Sequence, residues 1–349
     1  VRENTEKPNI EVEEISASTD LAKELLGKRV GDSFILVKSP IQDRVAKITQ
    51  ILSKYTRRFQ AVGDQMELKF GDETVIRTMR VPPAEKLTAS DLEPMLQSVK
   101  ARSQAVLKVR ELYNSNPLTL HMYGELLGHD AHDGLINLAV TENQFVRSAP
   151  PATAALANTM ARLGTKSTVV LDLSALATLR LLELTRTVLT SRGFRFVISP
   201  ATFTTLQQLR ADSRFNAAHG TIYYENGQHY MAEFTEDQIH RQKAAFEEWM
   251  RYVEANTTIV SASEVAALNP ERREMLEKLF GRAGLESAVA ALSPSHILWT
   301  DDLVFAEVAK SELGTEGTWT QATLEQLANR GLLDRAAADE AYAKLVGFD

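Results

Sequence analysis

The sequence contains no cysteine. That excludes disulfides, thiolate metal sites and a cysteine nucleophile, and it fits a cytoplasmic setting. No uninterrupted apolar run approaches the ~18 residues of a membrane span, so no membrane association is expected. The N-terminal run Val1-Arg2-Glu3-Asn4-Thr5-Glu6-Lys7 lacks the apolar centre of a signal peptide. It also lacks a starting Met, and the expectation is a piece of something longer. Positive charge is in deficit, with 39 Lys and Arg against 46 Asp and Glu and a net charge of −7. That argues against a nucleic-acid coat protein, although a local basic surface remains compatible with it. Absent too are a phosphate-cradling Gly-x-x-x-x-Gly-Lys loop, a Gly-x-Ser-x-Gly elbow and a His-Glu-x-x-His pair. There is no internal repeat or low-complexity tract. What remains is ordinary: 349 residues, 44% apolar and 24% charged. That is a globular composition long enough for two or three domains at roughly 100–200 residues each.

Three regions are expected. Residues 1–56 read as a small unit, with a helix from Asp20 to Leu26 stopped by Gly27, a strand at Ser33–Lys38 and another at Arg44–Leu52. Residues 57–165 carry a hairpin signal, Gln65–Phe70 and Thr74–Arg80 across Gly71-Asp72, and then a helical connector. In that connector Ser90-Asp91-Leu92-Glu93 reads as a capping box for a helix reaching Leu112. Helices from Leu118 to Gly128 and from Leu135 follow. From 166 to 349, short apolar strands alternate with helices: Thr168–Leu173, Phe194–Ile198, Thr258–Val260 and Ile297–Thr300. This pattern predicts a parallel sheet in a three-layer α/β/α domain. Within it, Glu225-Asn226-Gly227-Gln228 marks a hairpin, and two helices are expected at Glu271–Phe280 and Glu286–Leu292.

Two of these strands deliver an acid at their C-terminal edge: Asp172 follows Val169-Val170-Leu171, and Asp301-Asp302 follows Ile297-Leu298-Trp299-Thr300. Sites form at those ends of an open α/β sheet. Carboxylates gathered there repel one another, and a hard divalent cation relieves the repulsion. An Asp after a strand is also a common turn former or helix N-cap. The coincidence of two such strands favours a site. Glu286, at the start of a helix before the second strand, joins the candidate Mg²⁺ or Mn²⁺ cluster of Asp172, Glu286, Asp301 and Asp302. Ser174 and Thr300 are candidate supports. Such a cluster suits in-line hydrolysis of a phosphodiester.

Other features are weaker. Eight bases between 161 and 215 (Arg162, Lys166, Arg180, Arg186, Arg192, Arg195, Arg210, Arg214) outnumber the acids there, as a polyanion partner requires. Solvated helix faces account for them equally well. Tyr223, Tyr224, His229 and Tyr230 offer base stacking or, more ordinarily, cross-strand pairs. His129-Asp130-Ala131-His132-Asp133, with His121 upstream, has metal-ligand spacing. Placed between Gly128 and Gly134, it reads instead as a loop between helices.

Residues from about 166 to 340 resemble a PIN-domain nuclease. The likeness rests on Val169-Val170-Leu171-Asp172-Leu173-Ser174, on Val197-Ile198-Ser199-Pro200, and on Gly284-Leu285-Glu286-Ser287-Ala288. Leu298-Trp299-Thr300-Asp301-Asp302, Ala309 and the strand Gly317-Thr318-Trp319-Thr320 complete it. Residues 10–55 resemble the C-terminal domain of Gre transcript-cleavage factors, a small FKBP-like α+β unit, through the run from Ile15 to Asp32. In this order the two resemble bacterial TPR-GreAB-C-PIN conflict-system proteins. The tetratricopeptide array of that name is not in the sequence, which fits a missing upstream TPR segment. PIN nucleases usually place a second acid on the helix after the second strand. Here that position is Gln208, which brings no charge and implies weaker metal binding; Asp212 lies one turn further on. The acids of the Gre coiled coil are also absent, so the Gre-like piece is expected to dock rather than stimulate cleavage.

The resemblance implies a metal-dependent endoribonuclease, the effector or toxin of a conflict or stress system, with RNA as substrate and no covalent enzyme intermediate. The competing class is a degenerate PIN-like module that binds RNA or protein and docks to a larger assembly such as RNA polymerase.

Overall fold

The computed structural model describes residues 15–16, 18–37, 44–53, 56–57, 88–150, 153–215 and 220–346. The chain divides into two compact units, Val1–Asp91 and Leu92–Asp349. In the first, Thr19 caps α1 (Asp20–Leu25), accepting from Ala22 N, and Gly27 turns the chain at φ +83°. Strands β1 (Ser33–Val37) and β2 (Arg44–Lys47) pair antiparallel, Ser33 opposite Lys47, with an irregularity between Ile35 and Val37. The second strand is shorter than the Arg44–Leu52 expected. The hairpin expected at 65–80 lies outside the described residues.

The second unit begins on α2 (Ala89–Ser115), which carries Pro94 in its second turn. The short helices α3 (Leu120–Leu127) and α4 (Ala131–Ala139) follow as a helical hairpin, and then α5 (Thr153–Gly164). Residues 92–165, expected as a connector, lie in the same compact unit as the sheet. Tyr113, Tyr123, Leu135 and Leu138 form a small core there with Ala177 of the following domain.

The sheet is five-stranded and all parallel. It contains β3 (Thr168–Leu171), β4 (Arg195–Ile198), β7 (Thr258–Ile259), β8 (His296–Trp299) and β9 (Gly317–Thr318), in the order β7-β4-β3-β8-β9. Because strand side chains alternate, Val169, Leu171, Ile198 and Trp299 pack on one face and Val170, Val197 and Leu298 on the other. Both faces are covered by helices, which is why these strands read as continuous apolar runs. One layer includes α6 (Leu173–Leu181), α7 (Thr185–Leu189), α9 (Glu236–Asn256), α12 (Thr320–Asn329) and α13 (Arg335–Val346). The other includes α10 (Pro270–Ala290) and α11 (Leu303–Leu313). The three-layer α/β architecture expected from the sequence is present.

Local features of these helices have physical causes. The helix expected over 176–189 is two helices, because Glu183 adopts φ +59° after the α6 C-cap. Pro200–Phe215 (α8) opens with proline in its first turn, as Ser199-Pro200 predicted. Two helices occupy 270–290, as expected, but they abut at Gly281, whose φ of +68° and ψ of 167° are not helical, so the second starts ahead of Glu286. β5 (Gly220–Glu225) and β6 (Gln228–Glu233) pair across Asn226-Gly227, both at positive φ, as a two-residue hairpin demands.

Candidate active site

Chain order along the sheet reverses between β3 and β8. From β3 the chain moves outward to β4 and β7, and from β8 it moves the other way to β9. A crevice outside the carboxyl ends opens at such a point. Asp172 follows β3 and Asp302 follows β8, two strands paired in register with Leu171 opposite Trp299. Both acids line one cavity of about 350 Å³. Ser174, Gln208, Arg282, His121 and Asp130 line it as well.

Asp172 is 5% exposed and is the N-cap of α6. Its Oδ1 accepts from Ala175 N at 2.8 Å, and Thr300 Oγ1 donates to Oδ2 at 2.7 Å. Ser174 Oγ lies 2.8 and 2.9 Å from its two oxygens and accepts Asp301 N at 2.8 Å. Burial nonetheless pushes the Asp172 carboxyl up to about 7, and the charge of Asp301 adds to the rise. Asp302 is the N-cap of α11, taking Phe305 N on Oδ1 at 3.0 Å. Its Oδ2 takes Leu120 N, from the start of α3, at 2.5 Å. Burial pushes it up to about 6, opposed by these backbone donors and by Arg147. Neither carboxylate is in a salt bridge among the described residues.

The other candidate acids are deployed differently. Asp301 is 1% exposed and does not line the cavity; its Oδ1 accepts Thr320 N at 2.7 Å and its Oδ2 accepts Thr320 Oγ1 at 2.5 Å, which fixes the start of α12. Glu286, 8% exposed, accepts Ala201 N at 2.8 Å and Arg282 Nε at 2.9 Å, behind the cavity wall. Thr300 and Ser174 reach Asp172. Gln208 reaches the cavity from α8, whereas Asp212 is exposed on the same helix and is not among the lining residues.

Asp130 also lines the cavity, although its run reads in sequence as a loop between helices. It caps α4, its Oδ1 accepting Asp133 N at 3.0 Å, and burial pushes its carboxyl up. The signal was present in the His129–Asp133 run. Asp130, His132 and Asp133 each bring a ligand-type atom within 4.8 Å of the others, and His132 Nδ1 lies 2.9 Å from Asp133 Oδ1.

Several of the weaker polyanion features have local partners. Lys166 pairs with Glu316 at 2.6 Å, Arg210 with Glu247 and Glu254, and Arg180 lies over Phe246 and Trp249. The side chain of Arg214 lies outside the described residues. Tyr223 and Tyr230 are a stacked cross-strand pair with centroids 5.3 Å apart, and Tyr224 faces His229 at 4.9 Å. No helix among the described residues is long and apolar enough to cross a membrane.

No curated protein and no solved structure matches the chain. A family model does: residues 170–311 match the PIN domain associated with the TPR-GreAB-C-PIN system. That span begins inside β3 and ends inside α11, and so takes in Asp172, Gln208, Glu286, Asp301 and Asp302. With a five-stranded parallel sheet flanked by helices and a crevice at its reversal point, the chain has an α/β PIN-like fold.

Proposed function

We propose that this protein is a metal-dependent endoribonuclease, the effector of a bacterial conflict or stress system, with its site at the reversal point of the sheet. The observation that carries the reading is the pairing of Asp172 and Asp302. They are two buried carboxylates from adjacent strand ends, lining one cavity, raised to about 7 and about 6, with no ion pair among the described residues. Desolvated carboxylates with oxygen-only donors suit a hard divalent cation such as Mg²⁺ or Mn²⁺. When bound, such an ion stabilises charge on the phosphoryl oxygens and makes a water nucleophilic near neutral pH.

The chain's own groups do the rest. Asp172 and Asp302 would hold the cation. Ser174 and Thr300 hold the Asp172 carboxylate in one orientation through three hydroxyl contacts. Asp301 and Glu286 act from behind: Asp301 steadies α12, and Glu286 ties α8 to α10. Arg282, 77% exposed at the rim, presents a guanidinium to a backbone phosphate. The Gre-C-like segment serves as a dock to a larger assembly such as RNA polymerase, with a TPR segment upstream and a cytoplasmic setting.

The test is cleavage of structured and unstructured RNA by the full chain with Mn²⁺ or Mg²⁺, and its loss in Asp172→Asn. A second reading, a PIN-like module that binds RNA without cutting it, draws on two observations. The position of the usual second acid holds the uncharged Gln208, and Glu286 is taken up by Arg282 and Ala201 N. Binding that is indifferent to chelator, with every RNA left intact, would establish that reading instead.

A further inference from the structure

The α3–α4 hairpin lies wholly outside residues 170–311, yet it forms one wall of the cavity. Its attachment to the site is built in. Leu120 N donates to Asp302 Oδ2 at 2.5 Å, so a site acid is also the anchor of α3. Thr119 Oγ1 donates to Leu279 O at 2.5 Å, two residues before the break in α10. At that break Gly281 makes room for the His121 ring: a Cβ there would lie 2.7 Å from Nδ1. Within the hairpin, a Cβ on Gly124 would collide with Asp130 O, and one on Gly134 would lie 3.0 Å from Leu120 O. Two glycines thus let the helices close until the loop between them reaches the cavity with Asp130 at its tip.

We propose that Asp130 is a metal-holding carboxylate of this cavity, contributed from outside the matched domain and supplying the negative charge that Gln208 does not. The inference rests on the preceding reading of the cavity and deepens it. Three lining carboxylates, Asp130, Asp172 and Asp302, come from three separate stretches of chain. Each spends Oδ1 on capping the helix that follows it. The neighbourhood of Asp130 is also suited to a cation: Asp130, His132 and Asp133 bring ligand-type atoms within 4.8 Å of one another, and His132, 1% exposed and set behind the cavity lining, keeps its Nε2 without a hydrogen-bond partner among the described residues. The hairpin therefore completes the site from outside the matched residues.

The test is titration of the full chain with Mn²⁺ alone, read by calorimetry, for wild type, Asp172→Asn, Asp130→Asn, Asp130→Ser and the double variant Asp130→Asn with Gln208→Glu. Asn and Ser both keep an N-cap acceptor, so α4 stays capped while the charge is removed. The expected result is an affinity about tenfold weaker for both Asp130 variants, at the lower end of what metal-supporting groups contribute, and partial recovery in the double variant. Affinities for Asp130→Asn and Asp130→Ser equal to wild type would overturn the proposal and leave the Asp172–Asp302 reading intact. Loss of binding in Asp130→Asn with full binding in Asp172→Asn would also overturn it, by placing the ion with Asp130, His132 and Asp133 alone. No binding by wild type would remove the underlying reading itself.

Discussion

At the sheet edge, Asp172 and Asp302 are placed by strands fixed on both faces, 0% exposed from Val169 to Leu171 and from Ile297 to Trp299. On the α3–α4 hairpin, Asp130 is placed by two short helices whose approach depends on Gly124, Gly134 and Gly281. All three carboxylates cap helices, and all three are raised by burial. The helix N-terminus tempers each charge with its backbone donors and dipole, which is what allows an acid to remain buried without a basic partner. The sheet edge gives rigidity and the hairpin gives reach. A cap and a ligand are compatible uses of one aspartate: Oδ1 takes the helix N–H, Oδ2 of Asp172 takes Thr300 and Ser174, Oδ2 of Asp302 takes Leu120 N, and a carboxylate oxygen keeps a further lone pair beyond each such bond.

The largest effect expected is on turnover. Asp172→Asn should lower the Mn²⁺-dependent RNA cleavage rate by about 10²–10³-fold, the scale on which single groups that stabilise developing charge act. Asp130→Asn should lower it by about tenfold. Single-turnover rates at saturating Mn²⁺ measure both, and equal losses would erase the distinction between edge and hairpin.

Asp301 divides from its neighbour Asp302 in kind. Asp301→Ala leaves the buried N–H of Thr320 without its acceptor, a cost of about 1–3 kcal/mol. In a unit of this size that is a fall of about 2–4 °C in Tm per kcal/mol. Thermal unfolding reads it. Cleavage per folded molecule should change far less than in Asp172→Asn, because Asp301 does not line the cavity.

The hairpin has its own lever. Gly281→Ala places a methyl group against the His121 ring at a φ of +68°, where a side chain is strained as well as crowded. About 1–3 kcal/mol is expected, with Mn²⁺ affinity weakened through displacement of α3. Should the affinity hold at wild-type strength while Tm falls, the hairpin is scaffolding only.

Much of this arrangement is legible in the sequence because short continuous apolar runs ending in Asp are strong signals of strands buried on both faces. Val169-Val170-Leu171-Asp172 and Ile297-Leu298-Trp299-Thr300-Asp301-Asp302 both become strands of the sheet core with acids at its edge. Which of the two consecutive acids faces the cavity is not legible, because the turn beyond β8 decides it: Asp302 must cap α11, and Asp301 is left facing Thr320. The deployment of Glu286 is hidden for a similar reason, since Ala201 N reaches it from a helix far away in sequence. Asp130 carries a motif-like neighbourhood, but nothing local in sequence says that its loop meets the end of β3. That contact depends on glycine-mediated packing between helices, which leaves no periodic trace.

The smallest effect concerns stability and has a definite sign. Unfolded, Asp172 titrates near the ordinary 3.8; folded, near 7. Between those values the folded protein holds the proton more tightly than the unfolded chain does. The stability contributed by the neutral carboxyl is therefore present at low pH and lost as pH rises through the window from 3.8 to about 7. At pH 8, without metal, the charged Asp172 is a net burden. Asp172→Asn removes that burden and keeps a carbonyl for Ala175 N, and its amide can donate to Thr300 Oγ1 and Ser174 Oγ, whose hydroxyls rotate to accept. Relaxation and the altered hydroxyl contacts offset most of the gain, leaving roughly 1 kcal/mol, or about 2–4 °C in Tm. The metal-free variant should therefore be more heat-stable than wild type at pH 8 and no more stable at pH 4. Addition of Mn²⁺ at pH 8 should reverse the ranking, because the ion stabilises only the chain that keeps the carboxylate. A variant that melts below wild type at pH 8 without metal would mean that the Asp172 charge is already well compensated by its hydroxyl and backbone partners, and the electrostatic case for a cation at the sheet edge would fall with it.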